Sequence, residues 1–109
     1  MKKLIADLQA FTTSVRKFTE VLEDKYESSV LADKLAYFHD CLVAFGKYSP
    51  KFSCDAEKGT HIFAVAKLEQ LLGELETVDA ESNIFDIIDV LRVLCSRTLT
   101  IIEMLEDEE

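Results

Sequence analysis

The sequence is poor in residues that break regular structure and in residues that build disulfide frameworks. It contains no tryptophan, one proline and three glycines in 109 residues. Because proline and glycine mark turns, the chain offers few places where a long helix must end. Its three cysteines are odd in number and widely spaced, which argues against a disulfide framework and favours a reducing compartment.

Positive charge is also scarce. The chain has 12 Lys and Arg against 21 Asp and Glu, a formal net charge of -9. This balance argues against a broad basic patch, so we expect no direct binding of nucleic acid. No run is long and charge-free enough to suggest insertion into a membrane, and Asp7 and Gln9 interrupt the one segment that resembles a signal peptide. The expected location is cytoplasmic, or the interior of a host cell if the source is viral.

What the chain does have is apolar residues at helical spacing. The pattern predicts one all-α domain over residues 1–109, a compact antiparallel bundle of four helices with a short acidic C-terminal tail at 106–109. The first two helices are expected over residues 3–27 and 30–46, separated by a turn near Ser28. Since no Gly or Pro lies there, a continuous helix from residue 3 to about 45 is the alternative, and it would leave three helices. The apolar rows of these two segments are Leu4, Leu8, Phe11, Val15, Phe18 and Leu22 on the first helix, and Leu31, Leu35, Phe38, Leu42 and Phe45 on the second.

The loop after the second helix holds Pro50 and two glycines, and either Ser53 or Asp55 is expected to cap the third helix, which ends near Glu76. On that helix the pattern places four residues inside and three beside them. The inner four are Val65, Leu68, Leu72 and Leu75; the flanking three are Ile62, Phe63 and Leu71.

The longest apolar stretch, residues 83–105, is the segment around which the rest of the chain is organised. It carries two neighbouring rows at alternating spacings of four and three, together wider than one helix contact needs. It is either the central helix of the bundle or a helix covered partly by another molecule. The first row is Ile84, Ile88, Leu91, Cys95, Thr98, Ile102 and Leu105. The second row, predicted to bind a partner, is Ile87, Val90, Leu94 and Ile101.

Residues that could carry chemistry do not converge in the sequence. His39 and Cys41 are two positions apart and point to different sides of one helix, and no Cys-x-x-Cys or paired Glu-x-x-His motif is present. His61 lies on the inner stripe of its helix, where a half-buried packing role is expected. We therefore predict no enzyme activity, no cofactor and no metal site.

The order of residue types over about residues 33–105 forms a further pattern. A lysine and an aromatic residue precede a short Gly-containing loop, followed by a Leu-rich helix and an acidic connector. This order resembles the first part of BAR-type membrane-curvature domains, and the resemblance implies a helical assembly domain. The chain is about half as long as such a domain, and its acidity departs from the family's basic membrane face.

Acidic residues are concentrated between positions 69 and 91, where no Lys or Arg occurs. We predict a non-enzymatic interaction module that forms a homodimer or docks on a partner with a basic or apolar groove, and regulates or inhibits it. The alternative is a nucleic-acid mimic, viral or phage-like, that blocks the basic groove of a nucleic-acid-binding protein. A solvated surface that only maintains solubility is the third interpretation. The acids proposed as the binding surface are Glu69, Glu74, Glu76, Asp79, Glu81, Asp86 and Asp89.

Overall fold

The computed structural model describes residues 2–24, 28–48 and 54–107, which form four α-helices and no strand. Neighbouring helices run antiparallel, so the predicted all-α bundle is confirmed. No helix in these ranges combines the length and the apolar character needed to cross a membrane. The helices are α1 (Lys2–Asp24), α2 (Ser28–Lys47), α3 (Asp55–Leu75) and α4 (Ile84–Asp107).

Aromatic contacts show that α1 and α2 fold back on one another. The ring centroid of Phe11 lies 5.5 Å from that of Phe45, and the ring centroid of Phe18 lies 5.9 Å from that of Phe38. On one continuous helix, Phe11 and Phe45 would be about 50 Å apart at a rise of 1.5 Å per residue. The continuous-helix alternative is therefore wrong. Residues 25–27 lie outside the described ranges.

The four helices form a ring in which each packs against its two neighbours. α4 contacts α1 and α3, and α2 contacts α1 and α3, whereas no close backbone approach joins the diagonal pairs in the described chain. The apolar rows predicted for α1 and α2 supply half of the core. The residues of those rows that are buried are Leu4, Leu8, Phe11, Val15, Phe18, Leu22, Leu31, Leu35, Phe38 and Leu42.

The inner face of α3 is rotated from the predicted one. Leu71, expected beside the core, is fully buried, whereas Val65 and Leu72 are only half-buried. Ile62 and Phe63 are exposed. The prediction failed here because apolar and small residues occur on most sides of α3, so the sequence does not mark which side faces inward.

The ends of α3 and α4 differ in how their backbone is capped. Asn83 Oδ1 accepts a hydrogen bond of 2.8 Å from the Phe85 N–H, so Asn83 caps α4. Cys54, not Asp55, occupies the cap position of α3 and makes no side-chain cap hydrogen bond. Ser53, the other predicted cap, lies outside the described ranges. α4 continues through Asp107, so the first two residues of the predicted tail are helical.

Candidate functional site

The row predicted to bind a partner lies mostly inside the protein. Ile87 and Leu94 are fully buried and Ile101 is 3% exposed, so these three side chains form core rather than a binding surface. The physical reason is that α4 is covered on two sides, by α1 and by α3. Val90 alone of the four is half-buried and keeps part of its surface exposed.

The predicted acidic surface is a surface in the structure, and it has several parts. Six of the seven acids are exposed, and Glu74 is half-buried beside Arg97 of α4, with Oε1 3.7 Å from Nη1. Asp86 and Asp89 lie on the outward side of α4, and Glu69 on the outward side of α3. The structure brings the remaining three together at one groove, which also includes residues of α2. Those three are Glu76, Asp79 and Glu81.

This groove, called the acidic groove below, runs between α2 and the connector from α3 to α4. Its volume is about 590 Å³. Small and apolar side chains make its floor, and carboxylates with one imidazole make its rim. The floor is Ala32, Leu35, Ala36, Leu75, Val78 and Ala80; the rim is His39, Asp40, Glu76, Asp79 and Glu81.

Hydrogen bonds within the connector hold the rim in place. Asp79 Oδ1 accepts a bond of 2.8 Å from the Glu81 N–H, and Ser82 Oγ accepts one of 3.0 Å from the Asp79 N–H. Thr77 Oγ1 donates to the Glu74 carbonyl oxygen at 2.6 Å, closing the end of α3. These bonds order the connector before any ligand arrives, which lowers the entropy lost on binding.

His39 joins the two walls of the acidic groove. Its Nε2 lies 3.1 Å from Glu76 Oε1 across the α2–α3 contact, and its Nδ1 lies 3.9 Å from Asp40 Oδ1 on the same helix. The ring is half-buried between these two carboxylates. Sequence reasoning missed His39 and Asp40 as members of the site, because only the antiparallel register of α2 against α3 brings them to Glu76.

A second, smaller groove of about 150 Å³ lies between α3 and α4. Its lining contains two cations and no carboxylate, in a chain of net charge -9. Lys67 Nζ lies 5.2 Å from the centroid of the Phe63 ring. We call it the basic groove; it is lined by Phe63, Lys67, Arg97, Thr100, Ile101 and Met104.

Two titratable groups outside the grooves, His61 and Cys95, lie in packing positions. Burial lowers the pKa of His61, whose ring stacks at a tilt on Tyr48 at the end of α2. Burial likewise raises the pKa of the Cys95 thiol, which keeps it protonated and a poor nucleophile. Among the described residues, no three His, Cys, Asp or Glu side chains converge as metal ligands would.

No protein-family model, no curated protein and no solved structure matches this chain. The two grooves carry charges of opposite sign. The acidic groove has carboxylates around an apolar floor, and the basic groove has cations beside one. Each groove therefore suits a ligand that combines apolar surface with charge of the opposite sign.

Proposed function

We propose that this protein is a non-enzymatic interaction module that binds a basic segment of a partner protein in the acidic groove and regulates or inhibits that partner. The single observation that carries the proposal is the acidic groove itself, a preformed apolar floor with four carboxylates on its rim. A segment with small apolar side chains and flanking Lys or Arg is complementary to it in both respects.

The floor sets the kind of segment that fits. Ala32 and Ala36 are one helical turn apart on α2, and both are exposed. Their small side chains allow the backbone of a bound helix or extended strand to approach α2 closely. The carboxylates of Asp40 and Glu81 on the rim would then lie within reach of basic side chains.

A phage-displayed library of random peptides tests this proposal. Peptides that combine Lys or Arg with small apolar residues are expected to be enriched. Ala36→Gln should weaken their binding by filling the groove, and the pair Asp40→Asn and Glu81→Gln should weaken it by removing charge. Enrichment of acidic peptides, or of none, would contradict the proposal.

Two controls match these variants. Ala44→Gln makes the same change at an exposed alanine two turns further along α2, outside the groove. Glu103→Gln with Asp107→Asn removes the same charge from exposed positions in the second half of α4. Both controls should bind the selected peptides as the unmodified protein does. Equal losses in the two charge-removing pairs would mean that only net charge matters, and equal losses in Ala44→Gln and Ala36→Gln would mean that the groove is not the binding site.

The second candidate function is a polyanion mimic. It is supported by the exposure of six of the seven predicted acids over α3, the connector and α4. A nucleic-acid-binding partner captured by such a surface should be released by competing DNA and by salt, since screening shortens the range of charge attraction to about 10 Å at 0.1 M. Replacing Glu74, Glu76, Asp79 and Glu81 by their amides should abolish capture. Capture that survives both treatments would exclude mimicry. The BAR-type alternative stays a prediction.

A further inference from the structure

One stripe on α4 has an acidic residue at one end and a basic residue at the other. Its charges are therefore complementary to those of the same stripe laid antiparallel. Asp86, Val90, Val93 and Arg97 are spaced by four, three and four residues, so they share one side of the helix. Asp86 and Arg97 are exposed, and Val90 and Val93 are half-buried. The stripe therefore reads acid, apolar, apolar, base, and none of its members is fully covered by the rest of the described chain.

The basic end of the stripe is part of the basic groove. Arg97 and Lys67 both line it, and neither α3 nor α4 contributes a carboxylate to its lining. Arg97 has one acidic neighbour, Glu74 at 3.7 Å, and both side chains are about half exposed. Exposed ion pairs of this kind contribute little to the stability of the fold. Arg97 can therefore accept a second carboxylate from another molecule.

We infer that two copies of this chain pair antiparallel through the α4 stripe, with Asp86 of each copy against Arg97 and Lys67 of the other. The stripe is symmetric about its midpoint, because Asp86 lies four residues before Val90 and Arg97 lies four residues after Val93. An antiparallel copy aligned on that midpoint places acid opposite base at both ends. The two valines of one copy meet those of the other at the centre.

This pairing closes on itself. Each copy uses the same surface, so the contact is two-fold symmetric and stops at a dimer rather than continuing into a filament. It uses the side of α4 at its groove with α3, whereas the acidic groove lies between α2 and the connector. Dimerisation and peptide binding can therefore succeed or fail separately.

Sedimentation velocity on the full chain, from micromolar to millimolar concentration, tests the inference. The unmodified protein should shift from the mass of one chain to that of two. Asp86→Arg or Arg97→Asp alone should weaken the dimer at least about tenfold, because each sets like charges opposite one another. The double variant restores opposite charges in reversed order and should dimerise more tightly than either single variant, but less tightly than the original because Lys67 then repels the new arginine.

Asp89→Arg is the matched control, since Asp89 is an exposed acid on the same helix but lies off the stripe. It should leave the dimer unchanged, and circular dichroism should show that all variants keep their helicity. Three results would overturn the inference. They are a monomer at millimolar concentration, an Asp89→Arg variant as weak as Asp86→Arg, or a folded double variant no stronger than the single ones.

Discussion

The hydroxyls of Thr12 and Thr98 meet inside the protein, where α1 and α4 pack together. Their oxygens are 2.8 Å apart, and each also lies within hydrogen-bond distance of a carbonyl on its own helix, Leu8 O at 2.8 Å and Leu94 O at 2.7 Å. A hydroxyl has only one proton to donate. One threonine therefore donates across the contact while the other donates to its own backbone.

This sharing predicts that neither threonine is individually critical. Thr12→Val or Thr98→Val should lower the free energy of unfolding by about 1 kcal/mol, because the remaining hydroxyl can turn to its own helix carbonyl. The double variant should cost less than the sum of the two, since it replaces both partners by apolar groups of the same shape. Urea unfolding of the four proteins measures the coupling. A double variant at or above the sum would show that the two hydroxyls act independently.

His61 gives stability a pH dependence. Its ring is buried, and burial lowers its pKa from the ordinary 6.5. As the pH falls, the unfolded chain takes up the proton first, so stability is full above the ordinary pKa and declines below it until the folded-state pKa is reached. His61→Leu should flatten this part of the profile in urea unfolding between about pH 5 and 8. An unchanged slope would assign the dependence to other groups.

At the scale of the helix, α3 begins without the side-chain cap that α4 has. Cys54 has the extended backbone of a cap residue, with φ -159° and ψ 167°, but its thiol makes no cap hydrogen bond. Cys54→Ser should therefore raise the free energy of unfolding by about 1 kcal/mol. Asn83→Ala, which removes the working cap of α4, should lower it by a similar amount. Thermal unfolding of both variants tests the pair, and no gain from serine would mean that the cap site cannot be used.

α3 also contains two glycines that the packing of the described chain does not require. A Cβ at Gly59 or Gly73 would meet nothing within 4 Å. Since glycine inside a helix costs roughly 0.5–1 kcal/mol relative to alanine, Gly59→Ala and Gly73→Ala should each stabilise the protein by about that amount. Ala66→Gly, at an exposed position between them, is the reverse control and should destabilise it. Loss of stability in the alanine variants would show that α3 packs too closely at these positions to accept a Cβ.

The sequence predicted the buried face of a helix correctly only where the apolar residues of that helix lie on one side. On α1 the apolar residues from Leu4 to Leu22 follow a single row, and all of that row is buried as predicted. On α3 the row is not unique, so Leu71, expected beside the core, is buried, and Leu72, expected inside, is only half-buried. On α4 both rows were identified, but the sequence could not show that two helices of the same chain would cover them.

For the whole molecule, excess negative charge opposes compactness. The net charge is -9, and the acids of the connector stand close together around the acidic groove. Raising the salt concentration from about 0.01 to 0.15 M shortens the Debye length from about 30 to about 8 Å and should raise the melting temperature. The pair Glu69→Gln and Glu81→Gln should reduce this dependence in thermal unfolding. A melting temperature that falls with salt would show that attractive ion pairs dominate instead.

The site itself was predictable only in part. The acids of residues 69–89 were recognisable from the sequence because no basic residue interrupts them. Their association with His39 and Asp40 was not, because those residues are more than thirty positions away and reach the groove only through the α2–α3 register. Similarly, nothing in the sequence pairs Lys67 with Arg97. They line the same groove only because α3 packs on α4.

The pairing of α1 with α4 has a consequence for how the protein is made. Gln9 and Glu106 are hydrogen-bonded across 97 positions of sequence, and Glu23 and Arg92 join the other ends of the same two helices. During synthesis the ribosome releases α1 long before α4 exists to cover it. The apolar row of α1 then faces only α2 and the solvent. The nascent chain should therefore be a target for chaperones until α4 emerges.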